Sequence, residues 1–301
     1  MEFSTKFSEK NIMNYKHILC IFICTYLFSL QANAGVLTSI PILTLITKEL
    51  TGTEIPILTL VESGEAVHHF EISPKTLLML SKQDLIIFNG LDLEQSLSIL
   101  KSKPQFSKKI IEASNGISPI LNKNGKPDPH AWHNPINLIK YIENIAQALT
   151  EKFPDKKKIF QNNSTILKNK ILQWQKDKIN IIKQFNKPLL IVTTHDGYRY
   201  LAQAFGITNL SLIEDHNGES LSAKTFTLKI KELKEFHYRS FFGDGSSKDK
   251  MLKSLSVTTN SLWGGLLWGE TLPLDQAPPT LFEYLDHNFN TLQNAFKNIK
   301  N

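Results

Sequence analysis

Residues 155–185 read DKKKIFQNNSTILKNKILQWQKDKINIIKQF, a run of some thirty residues without Gly or Pro. Phe160, Leu167, Ile171, Trp174, Ile181 and Phe185 recur at spacings of seven, four and three, with Lys and Asn filling the other positions. That spacing predicts one apolar stripe on a continuous α-helix. At about 1.5 Å per residue the helix would be ~45 Å long, beyond the usual globular length. A helix of that length predicts a stiff strut between two lobes. A coiled-coil dimer is the competing reading, weakened because only some stripe positions are apolar.

Short apolar runs alternate with helical patterns on both sides of the strut, which predicts parallel βα units. Upstream, Ile55 to Val61 reads as a strand, and 74–83 as a helix with Ser73 as N-cap and Pro74 at its first position. Residues 84–90, DLIIFNG, read as a buried strand ending in a turn. Residues 93–102 read as helix and 109–113 as strand, and Asn134-Pro135 opens a helix to about Phe153. Downstream, strands are expected at 188–194, 209–213 and 238–242, and helices at 197–205, 223–236, 248–255 and 279–300. The expected class is α/β: two lobes, each a small parallel sheet flanked by helices, joined by one long rigid helix. The boundaries follow as an N-terminal lobe at 35–154, a linking helix at 155–186 and a C-terminal lobe at 187–301.

At the start of the chain, Lys16 and His17 precede an apolar run from Ile18 to Leu30 that ends in Gln31-Ala32-Asn33-Ala34. A positive n-region, a short apolar h-region and an A-x-A site describe a secretory signal peptide over 1–34, cut before Gly35. The run is short for a bilayer core of ~30 Å, so a membrane anchor is the lesser reading. Both cysteines, Cys20 and Cys24, fall inside it. The exported chain therefore forms no disulfide, and any metal site in it must use nitrogen and oxygen ligands. Cys20 follows no small residue, so a soluble periplasmic product is expected rather than a lipid-linked one. The formal charge of +6 gives no basic patch, since the lysines are scattered along amphipathic helices. Nucleic acid is not an expected partner.

Three histidines stand where short loops leave strands. His68 follows the strand ending near Val61, His130 lies in Asp128-Pro129-His130-Ala131-Trp132, and His195 follows the strand 189–194. Ligands of open α/β sheets bind outside the carboxyl ends of the strands. Neutral imidazoles can converge on one ion without mutual repulsion, and a carboxylate would complete the shell. Nitrogen-rich donor sets favour zinc, copper, iron or nickel over magnesium or calcium. Asp196 is the expected acceptor for the far nitrogen of a ligand histidine. His133 is a weaker candidate for ligand or supporting group, and His216, His237 and His287 read as surface residues.

Taken together, these motifs make the chain resemble the metal-type solute-binding proteins of bacterial ABC importers, the zinc and manganese uptake family. The likeness runs through Val36 to Pro41, the loop 64–74, Asp84 to Glu94, Asp128 to Trp132, Thr194 to Tyr198 and Trp268-Gly269-Glu270-Thr271-Leu272. It implies His68, His130, His195 and Glu270 as metal ligands, two per lobe, and an ion held between the lobes. It also implies a monomeric, non-enzymatic receptor that hands Zn2+ to an ABC permease in the inner membrane. Mn2+ and Fe2+ stay open, because the segment 121–126 lacks the His-rich loop common in zinc members. Three imidazoles still point to zinc, since manganese members often carry Glu in place of the third histidine. Ala66-Val67 stand where the family often has Asp-Pro, and Glu270 where Asp is commoner. A secreted metallohydrolase, with Glu71 or Asp196 as base, is the reading from another class. The chain holds no H-E-x-x-H motif, and a fourth protein ligand would close the position that catalysis needs open.

Overall fold

The computed structural model describes residues 35–61, 67–122, 124–272 and 279–299. The expected signal segment, 1–34, lies outside the described residues. The first lobe runs β1 (Val36–Thr38), α1 (Pro41–Thr51), β2 (Ile57–Thr59), a 3-10 turn at Val67–His69, α2 (Pro74–Ser81) and β3 (Leu85–Phe88). It continues through α3 (Gln95–Ser98), α4 (Pro104–Ser107), β4 (Ile110–Glu112) and α5 (Pro135–Lys152). A short 3-10 turn at Pro154–Lys156 then opens the long helix α6 (Lys157–Lys183). The second lobe runs β5 (Leu190–Thr193), α7 (Arg199–Phe205), β6 (Thr208–Ser211), α8 (Ala223–Leu233) and β7 (Arg239–Gly243). It closes with α9 (Asp249–Thr258), β8 (Leu262–Leu266) and α10 (Leu281–Asn298).

Each lobe holds a four-stranded parallel sheet, and the two share one order, β2-β1-β3-β4 and β6-β5-β7-β8. The central strands are mostly apolar because both faces are covered by helices, although β7 opens with Arg239-Ser240. β1, β3 and β5 are buried along their whole length. The polar turns follow the expected chemistry. Ser73 Oγ accepts from Thr76 N at 3.1 Å, and Asn134 Oδ1 accepts from Ile136 N at 3.0 Å, each before a proline at the first helical position.

Two elements escape the sequence pattern. Nine of the eleven residues of α1 are buried, and Thr44, Thr47 and Thr51 are among them, so its burial extends beyond its apolar residues. β8 reads Leu-Trp-Gly-Gly-Leu, a poor strand by composition. A Cβ at Gly264 would sit 2.3 Å from the Phe242 ring, so the adjacent strand leaves room only for glycine.

The stripe of α6 divides between two cores. Phe160, Leu167 and Ile171 join the first lobe's core, Ile182 joins the second, and Trp174 packs against both. A second helix crosses in parallel, which the sequence pattern did not suggest. Leu281, Tyr284 and Leu285 of α10 lie in the first core, and Phe289, Leu292, Ala295 and Phe296 in the second. Asp286 pins the two helices together, taking Trp174 Nε1–H at 2.9 Å and Lys178 Nζ at 2.7 Å. Two packed helices resist bending between the lobes far more than one exposed helix would.

Candidate metal centre

His68, His130, His195 and Glu270 all leave the carboxyl-terminal ends of strands, after β2, β4, β5 and β8. His68 sits in the 3-10 turn Val67–His69. His130 immediately precedes a similar turn at Ala131–His133. At the end of β5, Thr193 Oγ1 donates to His195 O at 2.8 Å and fixes the chain as it leaves the sheet. The loop carrying Glu270 is tied to α10. Tyr284 Oη donates to the carbonyls of Trp268 and Gly269 at 2.9 and 3.1 Å, and Asn288 brackets both main-chain groups of Trp268.

The four side chains meet around one carboxylate oxygen. Glu270 Oε1 lies 2.8 Å from His68 Nε2, 2.8 Å from His130 Nε2 and 3.6 Å from His195 Nε2. Ligands bound to one ion at about 2.1 Å stand roughly 3–3.4 Å apart, so two of these separations are a little shorter and one a little longer than those of a coordination shell. The ligand atoms of His68, His130 and Glu270 fall within 4.8 Å of one another. His68 Nε2 and His195 Nε2 are buried and complete no hydrogen bond. Both face Glu270 Oε1 without hydrogen-bond geometry, and buried polar atoms left so are costly unless something bridges them.

Each flank of the cluster carries a carboxylate. Asp128 Oδ1 accepts the His130 backbone N–H at 3.0 Å and pairs with its ring Nδ1 at 2.8 Å. Asp244 Oδ2 pairs with His195 Nδ1 at 3.1 Å. Carboxylates there direct the Nε2 lone pair toward a metal. Burial opposes charge on the rings, but Asp244 and Glu270 outweigh it and hold His195 up at about 10. His130 is raised in the same way against burial, by Asp128 and Glu270. Burial would push Glu270 up, yet the three imidazoles hold it well below the usual carboxylate range. Without metal, the carboxylates therefore favour protons on His195 and His130. With neutral rings, four carboxylates, Asp128, Asp196, Asp244 and Glu270, face one guanidinium, Arg199, which favours a cation among them.

Three sequence expectations about neighbouring groups need correction. Asp196 does not support a ligand histidine: its carboxylate takes Asn209 Nδ2 at 2.9 Å and Arg199 Nε at 3.3 Å. Asp244 holds that place, brought in by the turn after β7, which is remote in sequence. His216 is not a surface residue. It is 2% exposed, and its Nε2 lies 3.3 Å from Asn122 Nδ2 of the other lobe. His133 is buried among Trp132, Tyr198 and Tyr284, and burial drives it down to about 3, so it stays neutral. His237 is exposed, as expected.

Gly197 also escaped the sequence reading. A Cβ there would lie 2.3 Å from His195 Nε2 and 2.9 Å from its Cε1. The ring rests against bare backbone, so the glycine is part of the site.

Known proteins share this architecture. The chain is 30% identical over 228 residues to the manganese ABC transporter substrate-binding lipoprotein PsaA of Streptococcus pneumoniae, covering 71% of this chain and 73% of that one. Among solved structures, a metal-free mutant of the periplasmic metal binding protein of Candidatus Liberibacter asiaticus superposes with a TM-score of 0.78 at 27% identity. That match covers 87% of this chain and 99% of the other. The periplasmic zinc binding protein TroA of Treponema pallidum gives the same TM-score and coverage at 19% identity, a likeness of fold. The family described as zinc-uptake complex component A, periplasmic, matches residues 36–295, and the chain belongs to it: a metal-binding substrate-binding protein of an ABC transporter, not an enzyme.

Proposed function

We propose that His68, His130, His195 and Glu270 bind one divalent transition-metal ion as cargo, zinc in preference to manganese, for delivery to an inner-membrane permease. The observation that carries the ligand assignment is the convergence of three Nε2 atoms on Glu270 Oε1 within 3.6 Å, two of those nitrogens being buried and unbonded. The preference for zinc rests on donor type. Three imidazoles and one carboxylate suit zinc, and manganese stands at the bottom of the divalent affinity order. A second reading, manganese, is favoured by the relatives: PsaA, 30% identical, is named for manganese, and the Candidatus Liberibacter asiaticus protein, 26% identical, has been solved Mn-bound. Calorimetry of the metal-stripped protein with each ion in one buffer separates the two. The proposal expects one zinc per chain, bound at least tenfold more tightly than manganese, an affinity gap of about 1.4 kcal/mol. Tighter manganese binding would move the assignment to the second reading, and binding of neither would end both.

The export route belongs to the same reading. The 1–34 segment fits a cleaved signal peptide and a soluble, monomeric periplasmic product. Mass spectrometry of the exported protein should find Gly35 at its start and no lipid adduct. An acylated cysteine would assign it instead to the membrane surface.

A further inference from the structure

Of the 34 basic residues other than histidine, only Arg199 and Arg239 are arginine. Arg239 spans main-chain and side-chain acceptors within its own lobe, at Phe236, Thr259 and Ser261. Arg199 does something different. Its Nε lies 3.0 Å from Asp128 Oδ2 in the first lobe and 3.3 Å from Asp196 Oδ2 in its own. Asp196 is in turn held by Asn209 Nδ2 at 2.9 Å, which aims the guanidinium across the boundary. The next residue of α7 grips the same target by its main chain. Tyr200 Oη donates to Asp128 O at 3.0 Å and accepts from Ile120 N at 2.8 Å.

Asp128 is wholly buried, and its other oxygen carries both the ring and the backbone N–H of His130. We infer that Arg199 is a positioning residue for His130: it acts across the lobe boundary through Asp128, so that retention of the metal depends on lobe contact. The two central histidines differ in this respect. His195 is oriented by Asp244 from its own lobe, whereas His130 is oriented by a carboxylate that both lobes hold. Separating the lobes would take Arg199 from Asp128, leave that carboxylate with His130 alone, and loosen one ligand at the moment of delivery. Lysine, with a compact ammonium on a flexible stem, does not reproduce a planar group fixed between two carboxylates.

This inference rests on the ligand assignment above, and the test keeps the two apart. Zinc release from the loaded full chain is followed by stopped-flow with a chromophoric chelator, and the Co2+ absorption spectrum reports the ligand shell. The set is wild type, Arg199→Gln, Arg199→Lys, Asp128→Asn, the Arg199→Gln/Asp128→Asn pair and His130→Ala. Arg199→Gln and Asp128→Asn should each speed release roughly tenfold to hundredfold, the range for groups behind metal ligands. Arg199→Lys should recover part of the loss. The double variant should release zinc no faster than Asp128→Asn alone, because both changes break one chain of contacts. Multiplying effects in the double variant would overturn the inference, since Arg199 would then act by lobe contact without Asp128. So would an unchanged release rate and Co2+ spectrum in both Arg199 variants. If His130→Ala still held zinc as wild type does, the ligand assignment itself would fall.

Discussion

Of the four proposed ligands, His195 is the one most tightly prescribed by its surroundings. Asp244 holds Nδ1, Thr193 holds the carbonyl, and the Cα of Gly197 faces the coordinating edge of the ring. Gly197→Ala should push the ring out of line and weaken zinc binding tenfold or more by calorimetry. The residue has no left-handed φ, so its melting temperature without metal should fall little. Asp244→Ala should cost roughly tenfold to hundredfold in affinity, and Asp244→Asn, which can still accept from Nδ1–H, should cost less. His130→Ala should abolish tight binding and His237→Ala should leave it unchanged. If His237→Ala lost as much, the ligand set would be wrong. The candidate ligands were legible because each sits in a short motif beside a strand end. Their supports were not: Asp244 follows β7, some fifty residues from His195, and only sheet order β5-β7 makes them neighbours.

Among the elements, α6 carries the clearest contrast between its faces. Ile171 is fully buried in the first core, and the adjacent Leu172 is 46% exposed. Ile171→Ala should cost about 2–5 kcal/mol through lost burial and the cavity left behind, whereas Leu172→Ala should stay within about 0.5 kcal/mol. Urea unfolding of the two variants reads the difference directly, and equal costs would contradict the packing of this helix. α6 was readable from sequence because one face is apolar and the other polar, so a 3.6-residue period survives. α1 was not, since at eleven residues it is short and its buried surface includes Thr44, Thr47 and Thr51. β8 was not, since the crowding of Phe242 against Gly264 selects glycine over good strand formers. For β8, tertiary contact chose the residues.

For the whole molecule, two helices cross between lobes of identical strand order, pinned to each other at Asp286. The proposed binding surface is thus assembled without an ion, and binding is expected to need little rearrangement of the backbone. Scattering from metal-free and zinc-loaded protein should give radii of gyration within about 1 Å, as for preorganised complexes. A large contraction would mean that α6 and α10 do not hold the lobes as the packing indicates. A ligand that binds only the folded state stabilises it by about 2.7 kcal/mol at a hundredfold excess over Kd. Zinc should therefore raise the melting temperature by several degrees, and chelation should reverse the gain.

The most direct test of the ligand assignment is anomalous diffraction at the zinc edge from crystals of the zinc-loaded protein. The account predicts one strong peak, within about 2.0–2.2 Å of Nε2 of His68, His130 and His195 and of a Glu270 carboxylate oxygen. A peak elsewhere, or a peak that leaves one of these side chains uncoordinated, would contradict it.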